Sequence, residues 1–236
     1  MIGLVEIYAN GRGWNVGTSN IIVEGTSDVR YLRLARDLWQ RESKHDLFDS
    51  GFAVFEAGLK DDGGVQGVVR ELQALRQMAS QDTASLMQER KFVGLFDNDH
   101  AGRKHAHMLC EMDFRVRYYQ DVFLLHPVMP ASNGVLGPEL QRLAEAQNRS
   151  CAGLDWEIED FLPDDLIREF CNANPGALIR KQEMAGRVHR EFTRKGKGQL
   201  QVYVAEEALV EDMIEVIHLI CALRDYLGLE HQTMRP

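Results

Sequence analysis

An α/β fold on a parallel sheet is the architecture this sequence predicts, and three observations carry it. Short apolar runs alternate with stretches of helical spacing four times in about the first half of the chain. Two of those runs, NIIVEG (20–25) and KFVGLFD (91–97), contain an acid at or next to their last position, just before a helix is due. After Pro127 the alternation gives way to mostly helical spacing, so the 236 residues divide into a sheet-forming part, 1–126, and a mostly helical extension, 127–236.

Residues 3–9 alternate as a strand does, and Asn10-Gly11 is a hairpin signal. NIIVEG reads as a strand, followed by a helix over about 27–41 that Thr26 or Ser27 caps. Val29, Leu32, Leu34, Ala35 and Leu38 form its inner stripe, and Arg30, Arg33 and Arg36 read as its solvated side, with phosphate contact as the alternative. GFAVFEAG (51–58) is the next strand, LKDDGG a loop, and a helix starts near Val65 with Val68, Leu72 and Leu75 inward. KFVGLFD and a helix over 101–112 follow, then FRVRYYQ (114–120) as a fourth strand, with VFLL extending the sheet. In the extension, helices are expected over 138–147, from Pro163, over 176–192 and over 206–228, with QLQVYVA (199–205) as one more strand. The last helix has an apolar stripe through Leu209, Met213, Val216, Ile217, Ile220, Leu223 and Leu227, which suits a core, a homo-oligomer or a partner protein.

Composition narrows the class. With 44% hydrophobic and 27% charged residues, the chain can bury a core as a globular protein does. No apolar run reaches the roughly 18 residues of a membrane span, and MIGLVEIYANGRG is not a secretory signal, so no membrane partner and a cytoplasmic location are expected. Cys110, Cys151, Cys171 and Cys221 form no CxxC and read as reduced thiols. The net charge is −9, yet residues 180–197 hold seven basic side chains against two acidic ones, a local surplus that suits a phosphate backbone.

Chemistry concentrates in VEGTSD (23–28), DNDHAG (97–102) and WEIEDF (156–161). Glu24 and Asp97 fall at strand ends, the rim where α/β sheets bind ligands. Carboxylates are hard oxygen donors that select Mg²⁺ or Mn²⁺. A calcium loop fails, with Ala101 and Met108 at positions that need other residues, and no GxxxxGK[ST] or GxGxxG supports ATP or dinucleotide binding. His100, His105 and His107 lack zinc spacing; His100, inside the acidic turn, is the one expected near substrate. Trp156 reads as a core tryptophan, with stacking on a base as the alternative.

This pattern resembles the TOPRIM domain of topoisomerases, primases, recombination-repair proteins and OLD-family nucleases, over roughly residues 18–125. The family's glutamate maps onto Glu24 and its DxD onto Asp97 and Asp99, with Gly102 completing DxDxxG and Asp28 matching a frequent acid after the glutamate. The resemblance implies a Rossmann-like parallel sheet flanked by helices. No tyrosine has a topoisomerase context, no primase region is evident, and the cysteines supply no repair-type zinc motif.

Resemblance to OLD-like nucleases extends further. It covers a glycine turn at Gly63-Gly64, an acid in Ile158-Glu159-Asp160-Phe161 with Glu157 as the alternative, and a late lysine, Lys197 or Lys195. It implies two-metal phosphodiester hydrolysis of DNA or RNA, with Glu24, Asp97 and Asp99 at one ion and Asp28 with Glu159 at the other. The lysine would face charge on the phosphate, while Gly25, Gly63, Gly64, His100, Arg194 and Lys195 would contact substrate. OLD proteins carry an ATPase ahead of this module, so a separately encoded ATPase is an expected partner, and an anti-phage setting fits. The alternative is a TOPRIM-like regulator that binds nucleic acid or a partner without cutting.

Overall fold

Four parallel strands form the central sheet: β1 (Ser19–Val23), β2 (Phe52–Glu56), β3 (Lys91–Phe96) and β4 (Val122–Leu124), in the order β2-β1-β3-β4. The computed structural model describes residues 2–49, 51–58, 63–87 and 89–229; residues 59–62 of the LKDDGG loop lie outside them. Register pairs Val23 with Glu56 and Ile22 with Gly94, so β1 and β3 end side by side. From β1 the chain moves to β2 on one side and then returns to β3 on the other. That reversal opens a crevice between the carboxyl ends of β1 and β3.

Period-two alternation gives the sheet two apolar faces. Ile22, Phe55, Phe92, Phe96 and Leu124 pack under α1 (Leu4–Arg12), α3 (Gly64–Leu86) and α4 (His100–Met112). Ile21, Val23, Val54, Val93, Leu95 and Phe123 face the other way, into a core shared with α2 (Thr26–Ser43) and residues far downstream. Those include Val216, Ile217, Ile220 and Leu223 of α8 (Ile214–Tyr226), with Phe170 of α6 (Asp164–Ala173) and Leu200 of α7 (Arg194–Glu207). The extension therefore covers one face of the sheet together with α2. The apolar stripe expected for the last helix lies inside the chain's own core, except for Leu209, which precedes α8 and is exposed. No helix among the described residues is long and apolar enough to cross a membrane.

Five expectations about local structure need correction. Residues 3–9 are helical, not a strand, and Asn10 and Gly11 lie inside α1 rather than in a hairpin turn. Its first N–H groups, on Leu4 and Val5, donate to the Asp82 carboxylate at 2.8 and 3.0 Å, a cap from α3 that no local reading can find. The fourth strand is VFL, not FRVRYYQ; the chain turns at Tyr119 (φ 55°) before it joins the sheet.

The segment 176–192 forms a hairpin, β5 (Leu178–Met184) and β6 (Arg187–Phe192), instead of a helix. Ala185 and Gly186, both at positive φ (51° and 77°), make its two-residue turn. QLQVYVA is part of α7, because Leu200 and Val204, four apart, are buried while Val202 between them is exposed. Finally, 206–228 is not continuous: α8 starts at Ile214 after a 3₁₀ turn, Glu211–Met213. The helix α5 (Pro138–Gln147) and the start of α6 follow the sequence reading.

Candidate functional site

Glu24 and Asp97 emerge next to each other from β1 and β3, and the Asp97 N–H donates to Glu24 Oε1 at 3.0 Å. The Asp28 carboxylate turns back onto the Gly25 N–H at 2.8 Å, so Gly25, rather than Thr26 or Ser27, begins α2. Asp99 caps α4 through the Gly102 N–H at 2.6 Å. A β-carbon at Gly102 would collide with the Asp97 carbonyl, so the glycine of DxDxxG is a packing requirement of this turn. Gly63 is similarly confined, since its β-carbon would stand 2.9 Å from the Ala57 carbonyl and 3.0 Å from that of Glu24. The Gly64 N–H donates to the Glu24 carbonyl at 2.8 Å, which ties the glycine turn to the site.

The extension completes the cluster. Asn98 and Trp156 exchange backbone hydrogen bonds, N–H to C=O, at 2.8 and 3.3 Å, as if one more strand residue had joined β3. Arg103 reinforces that docking by donating to the Asn98 carbonyl at 2.6 Å and to Asp155 at 2.9 Å. Glu157 and Glu159 are thereby delivered beside Asp97. Lys197 Nζ lies 2.5 Å from Glu157 and 3.7 Å from Glu159, so both glutamates flank one lysine. Lys195 and Arg194 are exposed at the start of α7, and His100 is exposed at the start of α4.

Electrostatics mark the cluster as short of positive charge. Burial, joined by the charges of Asp28, Asp99 and Glu157, pushes the Glu24 carboxyl up to about 8, against the Asp97 hydrogen bond. Asp97 is held well above its usual range, by burial first and then by Asp28, Glu24, Glu157 and Glu159. Burial lifts Asp28 to about 6 and Glu159 to about 7, with Lys197 opposing both. Burial works against the Lys197 ammonium, yet Glu159 and Glu157 outweigh it and hold the proton more firmly than usual. One lysine faces more acids than it can neutralise.

Several contributors escaped sequence reasoning. Asp160, buried, accepts from the Glu157 N–H at 3.0 Å, from the Arg190 N–H at 2.9 Å and sits 2.7 Å from His189 Nδ1. It thereby locks the turn carrying Glu157 and Glu159 onto β6. Tyr31, one helical turn beyond Asp28 and 1% exposed, has a hydroxyl that finds no hydrogen-bond partner among the described residues. Burial and the charges of Glu159 and Asp28 keep its proton on.

The basic segment is less available than its composition suggests. Arg180 pairs with Glu191, Lys181 with Glu183, and buried Arg190 with Asp160 and Asp164. Similarly, Arg36 is engaged by Asp46, and Trp156 is buried edge-on against Phe161 rather than offered to a base.

Oxygen donors of this type and number suit a divalent cation. Among the described residues, no three His, Cys, Asp or Glu side chains already stand as a ligand set. A carboxyl whose folded pKa exceeds its unfolded one holds its proton preferentially in the folded state. Stability contributed this way is complete below the unfolded value and is lost as pH rises through the folded one. For Glu24 that window runs from 4.5 to about 8. His189 has the same sign, because its hydrogen bond to Asp160 raises its pKa above 6.5. The melting temperature in EDTA is therefore expected to fall between pH 5 and about 8, and Mn²⁺ at the upper end to restore it by several degrees. A melting temperature that climbs across this range and ignores Mn²⁺ would contradict the electrostatics described. No family model, curated protein or solved structure matches the chain, so its own residues carry the functional reading.

Proposed function

We propose that the chain is a divalent-metal-dependent nuclease of the TOPRIM type, most similar to the nuclease module of OLD-family proteins. One observation carries the proposal: Glu24, Asp28, Asp97, Glu157, Glu159 and a single lysine gather at the crevice where the parallel sheet reverses its strand order. Glu24, Asp97 and Asp99 would hold one Mg²⁺ or Mn²⁺ ion, with Asp28, Glu159 and Glu157 as donors for a second. Such ions, when bound, supply the Lewis acidity and positive charge that phosphodiester hydrolysis requires.

The chain's own residues prepare the site for that chemistry. The Asp97 N–H fixes one oxygen of Glu24, so the other would be the one offered to a cation. Asp99 likewise keeps one oxygen on the Gly102 N–H. Lys197 is held charged between Glu157 and Glu159. It can turn that charge toward a phosphate once the glutamates are engaged elsewhere. Raised carboxyl pKa values mean that cation binding displaces protons, so activity should increase toward alkaline pH. Arg194 and Lys195, exposed next to Lys197 in sequence, extend a positive rim for the substrate backbone. A separately encoded ATPase would then act as the trigger, in a role such as anti-phage defence.

The deciding assay incubates plasmid DNA, single strands and tRNA with the chain and Mg²⁺ or Mn²⁺. Cleavage is expected with metal, none with EDTA, and a loss of at least about 100-fold in Glu24→Ala. Cutting that persists in both EDTA and Glu24→Ala would remove the mechanism. Metal-dependent stabilisation without cleavage of any substrate, even with the ATPase present, would leave a binding module instead of an enzyme.

A further inference from the structure

A cavity lies at the opposite end of the sheet from the acids. It encloses about 600 Å³ between the first residues of β1 and β3, one side of α3 and the chain after α4. Four cationic side chains, Arg76, Arg90, Lys91 and Arg115, line it against Glu89 and Asp113. Three of them are anchored by carboxylates: Arg76 by Asp121 at 2.7 Å, Arg90 by Glu6 at 2.8 Å and Arg115 by Asp113 at 2.9 Å.

Anchoring does not exhaust their donors, because a guanidinium carries five N–H bonds. Arg90 Nη1 is buried and, among the described residues, has no hydrogen-bond partner. Lys91 Nζ reaches the Tyr226 carbonyl at 3.1 Å and, among the described residues, no carboxylate within ion-pair distance. Burial depresses its pKa, opposed by the charge of Asp121 and helped by that of Arg76. Four cationic residues on the walls of one cavity, one of them an ammonium with no carboxylate in ion-pair distance among the described residues, suit an anion.

Hydroxyls of Thr18, Ser80 and Thr83 lie on the same walls, and Ala79 and Phe92 add an apolar floor. A tetrahedral oxyanion offers acceptors in several directions at once, which suits donors arriving from separate elements better than a planar carboxylate does. The volume exceeds that of inorganic phosphate and falls within the range of small-ligand pockets. We infer that this cavity binds a phosphate-bearing small molecule, with its phosphoryl oxygens on Arg90 and Lys91, Arg115 at the rim, and its organic part against Phe92. The site is independent of the nuclease reading and shares no residue with the acidic edge.

Equilibrium dialysis and thermal shift on the full chain test it, in EDTA so that the acidic edge holds no cation. The probes are pyrophosphate, AMP, ATP and a short single-stranded oligodeoxynucleotide. At least one of the three small phosphates is expected to bind with a sub-millimolar Kd and raise the melting temperature. Lys91→Gln and Arg115→Gln should each weaken it by about tenfold or more, while Glu24→Gln leaves it unchanged. Arg115 is largely exposed, so Arg115→Gln still tests the site if Lys91→Gln fails to fold. The site is overturned if no small phosphate binds at about 5 mM, if both basic variants bind as the parent does, if Glu24→Gln removes binding, or if the oligonucleotide alone binds.

Discussion

Asp97→Asn is expected to abolish metal-dependent cleavage, by about 10³-fold or more, and at the same time to make the metal-free protein more heat-stable. Both effects come from one position. Asp97 ends a buried strand and faces Asp28, Glu24, Glu157 and Glu159, with its carboxyl driven well above its usual range. Removing its charge relieves that repulsion but takes away the donor at the centre of the cluster. Asp99→Asn should be milder in stability, because Asp99 already has the Gly102 N–H as a partner and an amide oxygen can retain that bond. Melting curves in EDTA beside cleavage rates in Mn²⁺ make the comparison. An Asp97→Asn variant that cuts normally would show the cluster to be structural. One that melts well below the parent would show that the acids do not repel one another as described.

The second large effect concerns folding. Asp160→Ala is expected to destabilise the chain by about 3–5 kcal/mol, since it strips a buried carboxylate from His189 and Arg190 and leaves both beneath the surface. It also frees the Glu157 N–H and unfastens the turn that carries Glu157 and Glu159. Denaturant unfolding measures the loss. Asp160→Asn should recover part of it, because one amide oxygen can still accept from a backbone N–H. A loss below about 1 kcal/mol for the alanine variant would mean that His189 and Arg190 find other partners.

Sequence legibility followed how local each cause is. The β1 and β3 strands were legible because burial on both faces makes them uniformly apolar. Glu24, Asp28, Asp97 and Asp99 were legible because turn and cap chemistry places them within a few residues of those strand ends. Helix α1 was not, because its cap comes from Asp82. The hairpin β5–β6 was missed since Ala-Gly is a weak turn signal and the strand residues are charged and exposed on one face. Glu157 and Glu159 could be named but not chosen between, and the structure shows why: a 3₁₀ turn, Ile158–Phe161, brings both to the same lysine. His189 and Tyr31 had no sequence signal, and Asp160 lay in a quoted motif without a legible role, since their roles depend on elements far apart in the chain.

The docking of Trp156 on Asn98 has a consequence for how the protein is made. Four of the acids, Glu24, Asp28, Asp97 and Asp99, are synthesised long before Glu157 and Glu159, and Lys197 comes 100 positions after Asp97. At about 5–20 residues per second, a growing chain spends roughly 5–20 seconds with its sheet available but its site unfinished. The core on one face of that sheet, begun by α2, also stays incomplete until α8 arrives. Whatever chemistry the cluster supports becomes available only after Lys197 has been made, so competence of the site and completion of that core come late in synthesis together.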